Sequence, residues 1–533
     1  MTRHHLFPLL ALFILFPLAA LIGGPRDAQW KHVDDAISVK SPRTAIKLLE
    51  PIIASALADR AYPEAIRGIV TRIGLESSIE DGDRKSYGRI LRLSREIARA
   101  PAEMKPVMRA ILAHEYWRYF QENRWRHLER TEVTSGDNSD PATWSLRRIL
   151  EEVDQQFMAA LAYKAVLKAT PIADYDDLLT KGSLPVAYRP TLYDFIAHEA
   201  LSFYQAGEHG SMVSSDNFEV EATSPMFASV AEFMAWRPVS PSTGYDPALR
   251  AIALYQALLE FHVGDADRTA FYDVDLARLN YGRNIAVGDE KAARFRSALE
   301  RFIGDTAQHE LFASALAMLA EQWKGKGDFV RARDVAMRGR DAFPNSKGGN
   351  WCRGIIRNIE MPRADVKADS VWTTPWARIN LSHSNIPRIY FRMVRSDLSP
   401  AMLLASSSYS HRKESLTKEL RTAQPVLAWE EKLDVPSDFK NRFVSLPTPQ
   451  NLEPGFYHLL ASLDPSFDTE SPQLFIVPIW ISTLALVIDT SDPMGVCRGF
   501  VLDSTSGTPV EGALVRSWKF GQRDETQPTG TTT

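Results

Sequence analysis

The chain contains very little cysteine: its 533 residues include only Cys352 and Cys497. Two thiols cannot form the disulfide framework of a small secreted module, nor a zinc site built from several cysteines. In an oxidising compartment these two residues could pair with each other. We expect instead two independent core residues, since a free cysteine commonly packs as a small apolar side chain.

No charge of one sign dominates the sequence. It has 62 Lys and Arg residues against 66 Asp and Glu residues, which gives a formal net charge of −4. This balance gives no reason to expect a nucleic-acid-binding surface. The proportions of 45% hydrophobic and 24% charged residues are typical of a globular protein. A chain of this length accommodates about three domains.

Long hydrophobic runs are missing after the N-terminus. The one such run covers residues 6–22 and follows Arg3, His4 and His5. A basic start before a short apolar core is typical of a secretory signal. The run also reaches the lower length limit of a membrane span, and no small-residue cleavage site follows it. We therefore predict that residues 1–28 are a signal peptide or an inner-membrane anchor, and that the protein is exported to the periplasm or cell surface.

Motifs for metal-dependent hydrolysis are incomplete. His-Glu dipeptides occur at His114-Glu115, His198-Glu199 and His309-Glu310, but none has a second histidine one helical turn later. A zinc protease of that class needs such a histidine pair on one helix face. We expect all three dipeptides to be partly buried helix residues that make hydrogen bonds.

Motifs for other chemistry are incomplete as well. The stretch Gly325-Lys-Gly-Asp328 lacks parts of a phosphate-binding loop, and we predict a turn between paired helices there. Gly210-Ser211 lacks the flanking glycine of a hydrolase nucleophile elbow. The cluster from Arg124 to Arg130 could stack on nucleic acid, but its aromatic neighbours are better explained as interhelical core. The sequence therefore predicts no enzyme: no catalytic residue, no cofactor, no metal and no small-molecule substrate.

Apolar residues recur at helical spacing from residue 29 to 362. Ser41-Pro42 opens one helix, which ends before a polar turn at Asp59-Arg60. Further helices are predicted over residues 65–73, 101–129, 192–203, 247–261 and 290–302. We assign helical domains to residues 29–170 and 171–362, with a surface loop at 134–141.

The clearest helical unit covers residues 313–344. Two leucines and Trp323 precede a turn at Gly327-Asp328, and Pro344 ends the second helix. This spacing matches the tetratricopeptide repeat. Together with a weaker pair at 41–75, it favours an array of helical repeats that could dock peptides or protein partners, and the alternative is a plain helical domain.

From residue 363 the pattern changes to short apolar runs separated by turn residues. Strands are predicted within residues 366–372, 377–382, 387–394, 426–429, 443–446, 455–462 and 473–477. This spacing predicts an antiparallel β-sandwich over residues 363–478. Residues 479–533 start a second sandwich that is incomplete, so we expect the chain to be the front portion of a longer protein. The predicted fold is therefore an all-α repeat region followed by all-β domains.

The segment 498–515 begins that second sandwich. Its apolar residues alternate around a polar turn, residues 503–507, which Pro509 closes. The pattern predicts two short strands joined by this turn. Gly507 can supply the positive φ of the turn, and Gly512 is expected to permit close sheet packing.

Several of these segments resemble the large bacterial alpha-2-macroglobulin-like proteins. Leu452-x-Pro-Gly-Phe-Tyr-x-Leu459 resembles the last hairpin of that family's first macroglobulin domain. Residues 481–487 resemble the opening strand of the next domain, and residues 501–515 resemble its following hairpin. Residues 119–125 and 190–195 resemble the helical prefix of one bacterial branch.

The resemblance implies protease capture. In that family a protease cuts a bait segment, the macroglobulin domains rearrange, and in many members a thioester between Cys and Gln acylates the protease. Neither Cys352 nor Cys497 stands in the required Cys-x-x-Gln arrangement, and no bait segment is recognisable. We therefore expect this chain to be the non-reactive N-terminal scaffold of an endopeptidase inhibitor, with proteases or other proteins as partners and no nucleic acid.

Two alternatives remain. The first is a cell-surface protein-binding scaffold that uses helical repeats and β-sandwiches only for contacts. The second is a regulatory sandwich of the carboxypeptidase type attached to a transporter or peptidase. That second alternative depends on the segment 498–515 alone and leaves the preceding sandwich unexplained.

Overall fold

Helices fill the first part of the chain and β-strands fill the last part, as the sequence predicts. The computed structural model describes residues 25–80, 84–124, 141–180, 182–207, 218–239, 245–373, 376–396, 411–467, 473–489, 498–520 and 526–532. The chain divides into two units, residues 1–315 and 316–533. The predicted signal or anchor, residues 6–22, lies outside the described ranges. Within those ranges, no helix combines the length and the apolar character that crossing a bilayer requires.

The first unit is built from helices. These are α1 (Asp27–Ser38), α2 (Pro42–Ala58), α3 (Tyr62–Ser78), α4 (Arg84–Arg99), α5 (Lys105–Glu122), α6 (Leu146–Leu161), α7 (Lys164–Ala169), α8 (Leu192–Tyr204), α9 (Val230–Ala235), α10 (Pro247–His262), α11 (Thr269–Ile285) and α12 (Lys291–Asp305). From α1 to α6 each helix packs against the next in the chain, and α8, α10, α11 and α12 continue this pattern. The unit is therefore held together largely by contacts between sequence neighbours.

The predicted helix starts and stops have identifiable causes. α2 begins at Pro42, whose fixed φ and missing N–H suit a first helical turn. It ends at Ala58, just before the predicted turn at Asp59. Gly68 of α3 faces this helix, and a Cβ there would lie 2.7 Å from the Ile53 side chain. The glycine thus lets α2 and α3 approach closely.

Aromatic residues of α5 fill the core between helices, as expected. Trp117 meets Phe203 of α8 edge-on, with ring centroids 5.3 Å apart. Tyr116 stacks on Trp144, with centroids 5.6 Å apart. α5 ends at Glu122, so the predicted continuation of this helix is wrong at Asn123, where the chain turns. Residues 125–140, which include most of the basic cluster and the predicted loop, lie outside the described ranges.

Helices also open the second unit. α13 (Leu311–Gly325) crosses the boundary between the units, and α14 (Phe329–Ala342) and α15 (Lys347–Glu360) follow it. The turn before α14 contains Gly327 at φ +76°, and the Asp328 side chain accepts a hydrogen bond from the backbone N–H of Arg331 at 3.1 Å. This confirms the turn predicted between the paired helices. α14 ends shortly before Pro344, also as predicted.

Two sheets follow the helices. Their strands are β1 (Arg363–Ala368), β2 (Val371–Trp372), β3 (Arg378–Ser384), β4 (Arg388–Arg395), β5 (Leu427–Lys432), β6 (Arg442–Pro447), β7 (Gly455–Ser462) and β8 (Leu474–Ile481). One sheet has the order β1-β3-β6 and the other has the order β2-β8-β7-β4-β5. Only the β2–β8 pair among these is parallel. The side chains on the facing surfaces of both sheets form one hydrophobic cluster, which includes the fully buried Trp372.

A helix lies within the region predicted to contain strands alone. α16 (His411–Thr422) packs Leu416 and Leu420 against Val394, Leu460 and Phe467, on the face of the five-stranded sheet away from the main core. β7 is consequently buried on both faces, which accounts for its nearly continuous apolar sequence. The polar composition of α16 and its few apolar positions explain why periodicity did not reveal it.

The predicted hairpin at 498–515 is only partly correct. β9 (Leu484–Asp489) pairs with β10 (Arg498–Asp503), and β11 (Val515–Phe520) pairs with β12 (Thr526–Thr532). After β10 the chain returns for a single bridge, Leu502 with Pro509, and forms no second strand before β11. Proline cannot donate to a ladder, whereas β9 offers β10 a full set of partners.

The glycines of this region have different roles from those expected. Gly507 has φ +70°, as predicted for the turn. Gly512 has φ +72° and open space around its Cβ position, so the expectation of close packing there is wrong. The close approach is at Gly499, where a Cβ would lie 2.3 Å from the carbonyl oxygen of Val487.

Candidate functional sites

The His-Glu dipeptides do not form a metal site. His114 lies on α5, and its Nε2 is 3.1 Å from the carboxylate of Glu199 on α8. The histidine of one dipeptide thus pairs with the glutamate of another, and the pair joins two helices. The expectation of a partly buried, hydrogen-bonded histidine is confirmed at His114. Across the described residues, no group of three His, Cys, Asp or Glu side chains is placed to hold a metal ion.

The other two histidines differ from expectation. His198 is fully rather than partly buried, and its Nε2 has no hydrogen-bond partner among the described residues. Burial holds the pKa of His198 well below its ordinary value, so this imidazole is neutral. His309 precedes α13 rather than lying in a helix. Its Nδ1 accepts from the backbone N–H of Leu311 at 3.2 Å, and its Nε2 lies 3.0 Å from the Thr269 hydroxyl.

A narrow crevice separates α5 from α8 beside the His114–Glu199 pair. It is lined mostly by apolar side chains, namely those of Val107, Ala110, Ile111, Leu179, Leu192, Phe195 and Ile196. Its volume is about 30 Å³, which is room for roughly one water molecule. The crevice is therefore too small to be a ligand chamber.

A buried histidine lies between two carboxylates. The Nε2 atom of His262, in the last turn of α10, lies 2.6 Å from Asp194, and its Nδ1 atom lies 2.7 Å from Asp265. Asp194 also forms the capping box of α8 with Thr191. Burial disfavours the charged ring, but the hydrogen bonds and negative charges of the two aspartates outweigh it and raise the pKa of His262.

This arrangement resembles part of a catalytic triad but cannot act as one. Both nitrogens of His262 are engaged by carboxylates, so neither can accept a proton from a nucleophile. The Thr191 hydroxyl donates to the outer oxygen of Asp194 at 2.7 Å and is not directed at the histidine. The cluster therefore links α8 to α10.

A cleft of about 270 Å³ with both polar and apolar lining lies between α11 and α12. Its lining includes Arg268, Asp275 and Arg301. The Arg268 guanidinium lies 3.7 Å from the centre of the Phe271 ring and donates to the carbonyl of His262 at 3.1 Å. Ligand pockets usually measure about 300–1,000 Å³, so this cleft is below that range.

Asp275, which lines the cleft, belongs to a buried ion pair. Arg278 is 1% exposed, and its Nε donates to Asp275 at 2.9 Å. Its Nη1 also donates to the backbone carbonyls of Met226 at 2.9 Å and Ala228 at 3.2 Å. Arg301 likewise donates to a carbonyl in this segment, that of Phe227, at 2.7 Å. These arginines hold the loop before α9 in place, which is a structural role.

The described thiol is inert. Cys352 on α15 is fully buried, as expected for a core residue, and burial raises its pKa to about 11. A thiol with such a pKa carries almost no thiolate at neutral pH. Cys497 lies outside the described residues.

The β9–β10 ribbon exposes several large apolar side chains. Leu486, Val487 and Ile488 are 51–52% exposed, and Phe500 is 69% exposed. Val487 pairs with Phe500, whereas Leu486 and Ile488 alternate to the opposite side, so both faces of the ribbon are apolar. Within the described residues neither face is fully covered, which is typical of a protein-interaction surface.

The sequence matches no known protein-family model, and no curated protein matches it.

Proposed function

We propose that the chain is an exported, non-enzymatic scaffold of the alpha-2-macroglobulin type, the N-terminal part of an endopeptidase inhibitor. The observation that carries the proposal lies in the segment that resembles the macroglobulin hairpin. Tyr457, near the start of β7, is 2% exposed and donates its hydroxyl to the backbone carbonyl of Glu453 at 2.9 Å.

A tyrosine bonded in this way is typical of Greek-key β-sandwiches. In those folds it lies near the start of the strand that follows a crossing between the sheets, and it bonds backbone a few residues upstream. β6 and β7 belong to different sheets, and Glu453 lies in the connection between them. The contact therefore supports a macroglobulin-like or immunoglobulin-like sandwich at residues 363–478.

Strand order gives independent support for the sandwich. β1, β3 and β6 form one sheet, and β4, β5, β7 and β8 lie in the other, with a single core cluster between them. If β1 and β2 are counted as one split strand, this is a seven-stranded arrangement of three strands facing four. Seven short strands in two layers are typical of such domains.

The beginning of a second β-domain follows directly. β9 starts three residues after β8 ends, and the backbone N–H of Ser504 bonds the carbonyl of Thr483 at 2.8 Å. The Thr373 and Ser504 hydroxyls lie 2.6 Å apart, which ties the turn after β10 to the first β-domain. Serial β-domains of this kind fit the proposed macroglobulin series.

The helical region fits the repeat-containing prefix. Successive helices pack on one another from α1 onward, as expected for an array in which each unit contacts its neighbours. The α13–α14 pair has the tetratricopeptide spacing, and Arg331 packs 3.6 Å above the Trp323 ring that marks this spacing. These observations support a repeat array without identifying its partner.

The test uses the full-length gene product. It is incubated with proteases of different specificity, and native-gel mobility, cleavage sites and residual activity on large and small substrates are recorded. We expect cleavage at one exposed segment, a mobility change, and loss of activity on protein substrates alone. A chain of these 533 residues should give no covalent adduct, because it lacks Cys-x-x-Gln. If no protease produces a mobility change, the proposal is wrong.

The second candidate is a cell-surface protein-binding scaffold. It is favoured by an exposed face of α15 that carries Trp351, Arg353 and Arg357. Stoichiometric binding of a non-protease partner, with no cleavage and no mobility change, would support this function over protease capture.

A further inference from the structure

α15 has two different faces. Its inner face buries Cys352, Ile355, Ile356 and Ile359. Its outer face exposes Trp351, Arg353, Gly354 and Arg357. Trp351 is 41% exposed, although the helix already buries a complete apolar stripe on its other side.

The outer face is positively charged. The one acidic residue of α15 is Glu360 at its end, where it pairs with Arg333 of α14. The Arg353 guanidinium is held in place by bonds to the Asn350 side chain at 2.8 Å and the Pro344 carbonyl at 2.9 Å. The chain as a whole is slightly acidic, so this is a local basic surface.

Gly354 leaves a dent in the outer face of α15, because it carries no side chain. It lies three residues after Trp351, and nothing lies within 4 Å of its Cβ position. Glycine inside a helix costs about 1 kcal/mol relative to alanine. No internal packing explains this glycine, whereas a dent on an exposed helix face would admit the backbone of a bound chain.

We propose that this face, Trp351, Arg353, Gly354 and Arg357, binds an acidic polypeptide segment. Carboxylates of the segment pair with Arg353 and Arg357, and its backbone passes over Gly354 against the Trp351 ring. Arginine and tryptophan are the residue types that dominate binding energy at protein interfaces. Complementary charge then selects an acidic partner. The inference does not depend on the macroglobulin resemblance.

The probe is a fluorescein-labelled peptide of repeating Glu-Glu-Ala-Leu, titrated with the purified 533-residue chain and followed by anisotropy. We expect a dissociation constant on the order of 10–100 μM, since the face is small. Affinity should fall as salt rises, because exposed charges are screened. A control peptide with Lys in place of every Glu should not bind.

Three variants test the assigned face. The double change Arg353→Glu and Arg357→Glu should weaken binding by about tenfold or more, which is the loss of affinity expected when at least one charged pair is removed. The matched control is Arg43→Glu with Lys47→Glu on α2, which reverses two exposed cations at the same spacing and should change binding by less than about twofold. Trp351→Ala should weaken binding without any change of charge.

Gly354→Leu separates folding from binding. Leucine is a better helix former than glycine, and the position is open, so the melting temperature should not fall. Binding should nevertheless weaken because the dent is filled.

The proposal is overturned if the acidic peptide does not bind, if the α2 control weakens binding equally, or if the chain binds phosphatidylglycerol vesicles through these residues but not the peptide. Each outcome is independent of the protease assay.

Discussion

His262 and Asp194 face each other across 2.6 Å in the interior, and each side chain is 1% exposed. Asp265 lies against the second ring nitrogen at 2.7 Å. The two aspartates raise the pKa of His262, and in the protonated ring each nitrogen donates to one of these carboxylates. The protonated His262 ties the first turn of α8 to the last turn of α10.

The first prediction concerns the pH dependence of stability. Because the pKa of His262 is raised on folding, its stabilisation is complete below the ordinary histidine pKa and is lost as pH rises through the folded value. His262→Gln should lower the free energy of unfolding by about 3–5 kcal/mol under mildly acidic conditions, and by less in alkali. Urea unfolding across a pH series measures this difference.

The control for that prediction is His114→Gln. The His114–Glu199 pair is more exposed than the His262 cluster, so its loss should cost about 0–1 kcal/mol. If the stability difference between wild type and His262→Gln does not change with pH, the imidazolium assignment is wrong.

The second prediction concerns the Tyr457 hydroxyl. Tyr457→Phe removes the bond to the Glu453 carbonyl and should cost about 0.5–1.5 kcal/mol of the free energy of unfolding. Tyr390→Phe, on neighbouring β4, is the matched control, and its half-buried side chain should cost less. Equal effects in denaturant unfolding would show that the Tyr457 bond contributes nothing specific.

The third prediction compares two glycines of α15. A Cβ at Gly349 would lie 2.0 Å from the Phe343 carbonyl oxygen, so Gly349→Ala should destabilise the second unit. Gly354→Ala meets open space and should stabilise it by about 0.5–1 kcal/mol. Thermal unfolding should thus give shifts of opposite sign. Shifts of the same sign would contradict the packing at the start of this helix.

The fourth prediction concerns the buried pair of Asp275 and Arg278. Asp275→Ala leaves the guanidinium without its counter-charge and should cost about 3–5 kcal/mol. The double variant Asp275→Ala with Arg278→Met removes both charges and should be less destabilised than the single variant. If the double variant is less stable than Asp275→Ala, the arginine contributes mainly through its carbonyl bonds to Met226 and Ala228.

Local patterns predicted most elements. Pro42 starts α2 because proline suits a first turn, and Gly327 forms the turn before α14 because it adopts positive φ. The strands of the first β-domain were recognisable from their turn residues and apolar runs. α16 was not predicted from the sequence because its composition is polar, and the residues that pack it against the sheet are Leu416 and Leu420.

Contacts between distant residues were not predictable from the sequence. His114 pairs with Glu199, and nothing at either position indicates which glutamate is the partner. The role of His262 was not recognised from the sequence. One of its partners, Asp194, lies 68 residues away, and the other, Asp265, lies three residues away and forms no known motif with it. A histidine in a last helical turn is the one signal that could have directed attention to it.

The sequence by itself indicated many of the helices and strands, because period, proline, glycine and turn chemistry act over a few residues. It also excluded a cysteine-rich metal site and a thioester of the Cys-x-x-Gln type. Only the tertiary structure decided that β10 pairs with β9, that Tyr457 bonds Glu453, and that α15 leaves Trp351 exposed. Those outcomes depend on which surfaces meet when the chain folds, and hydrophobic burial selects the meeting surfaces without regard to sequence distance.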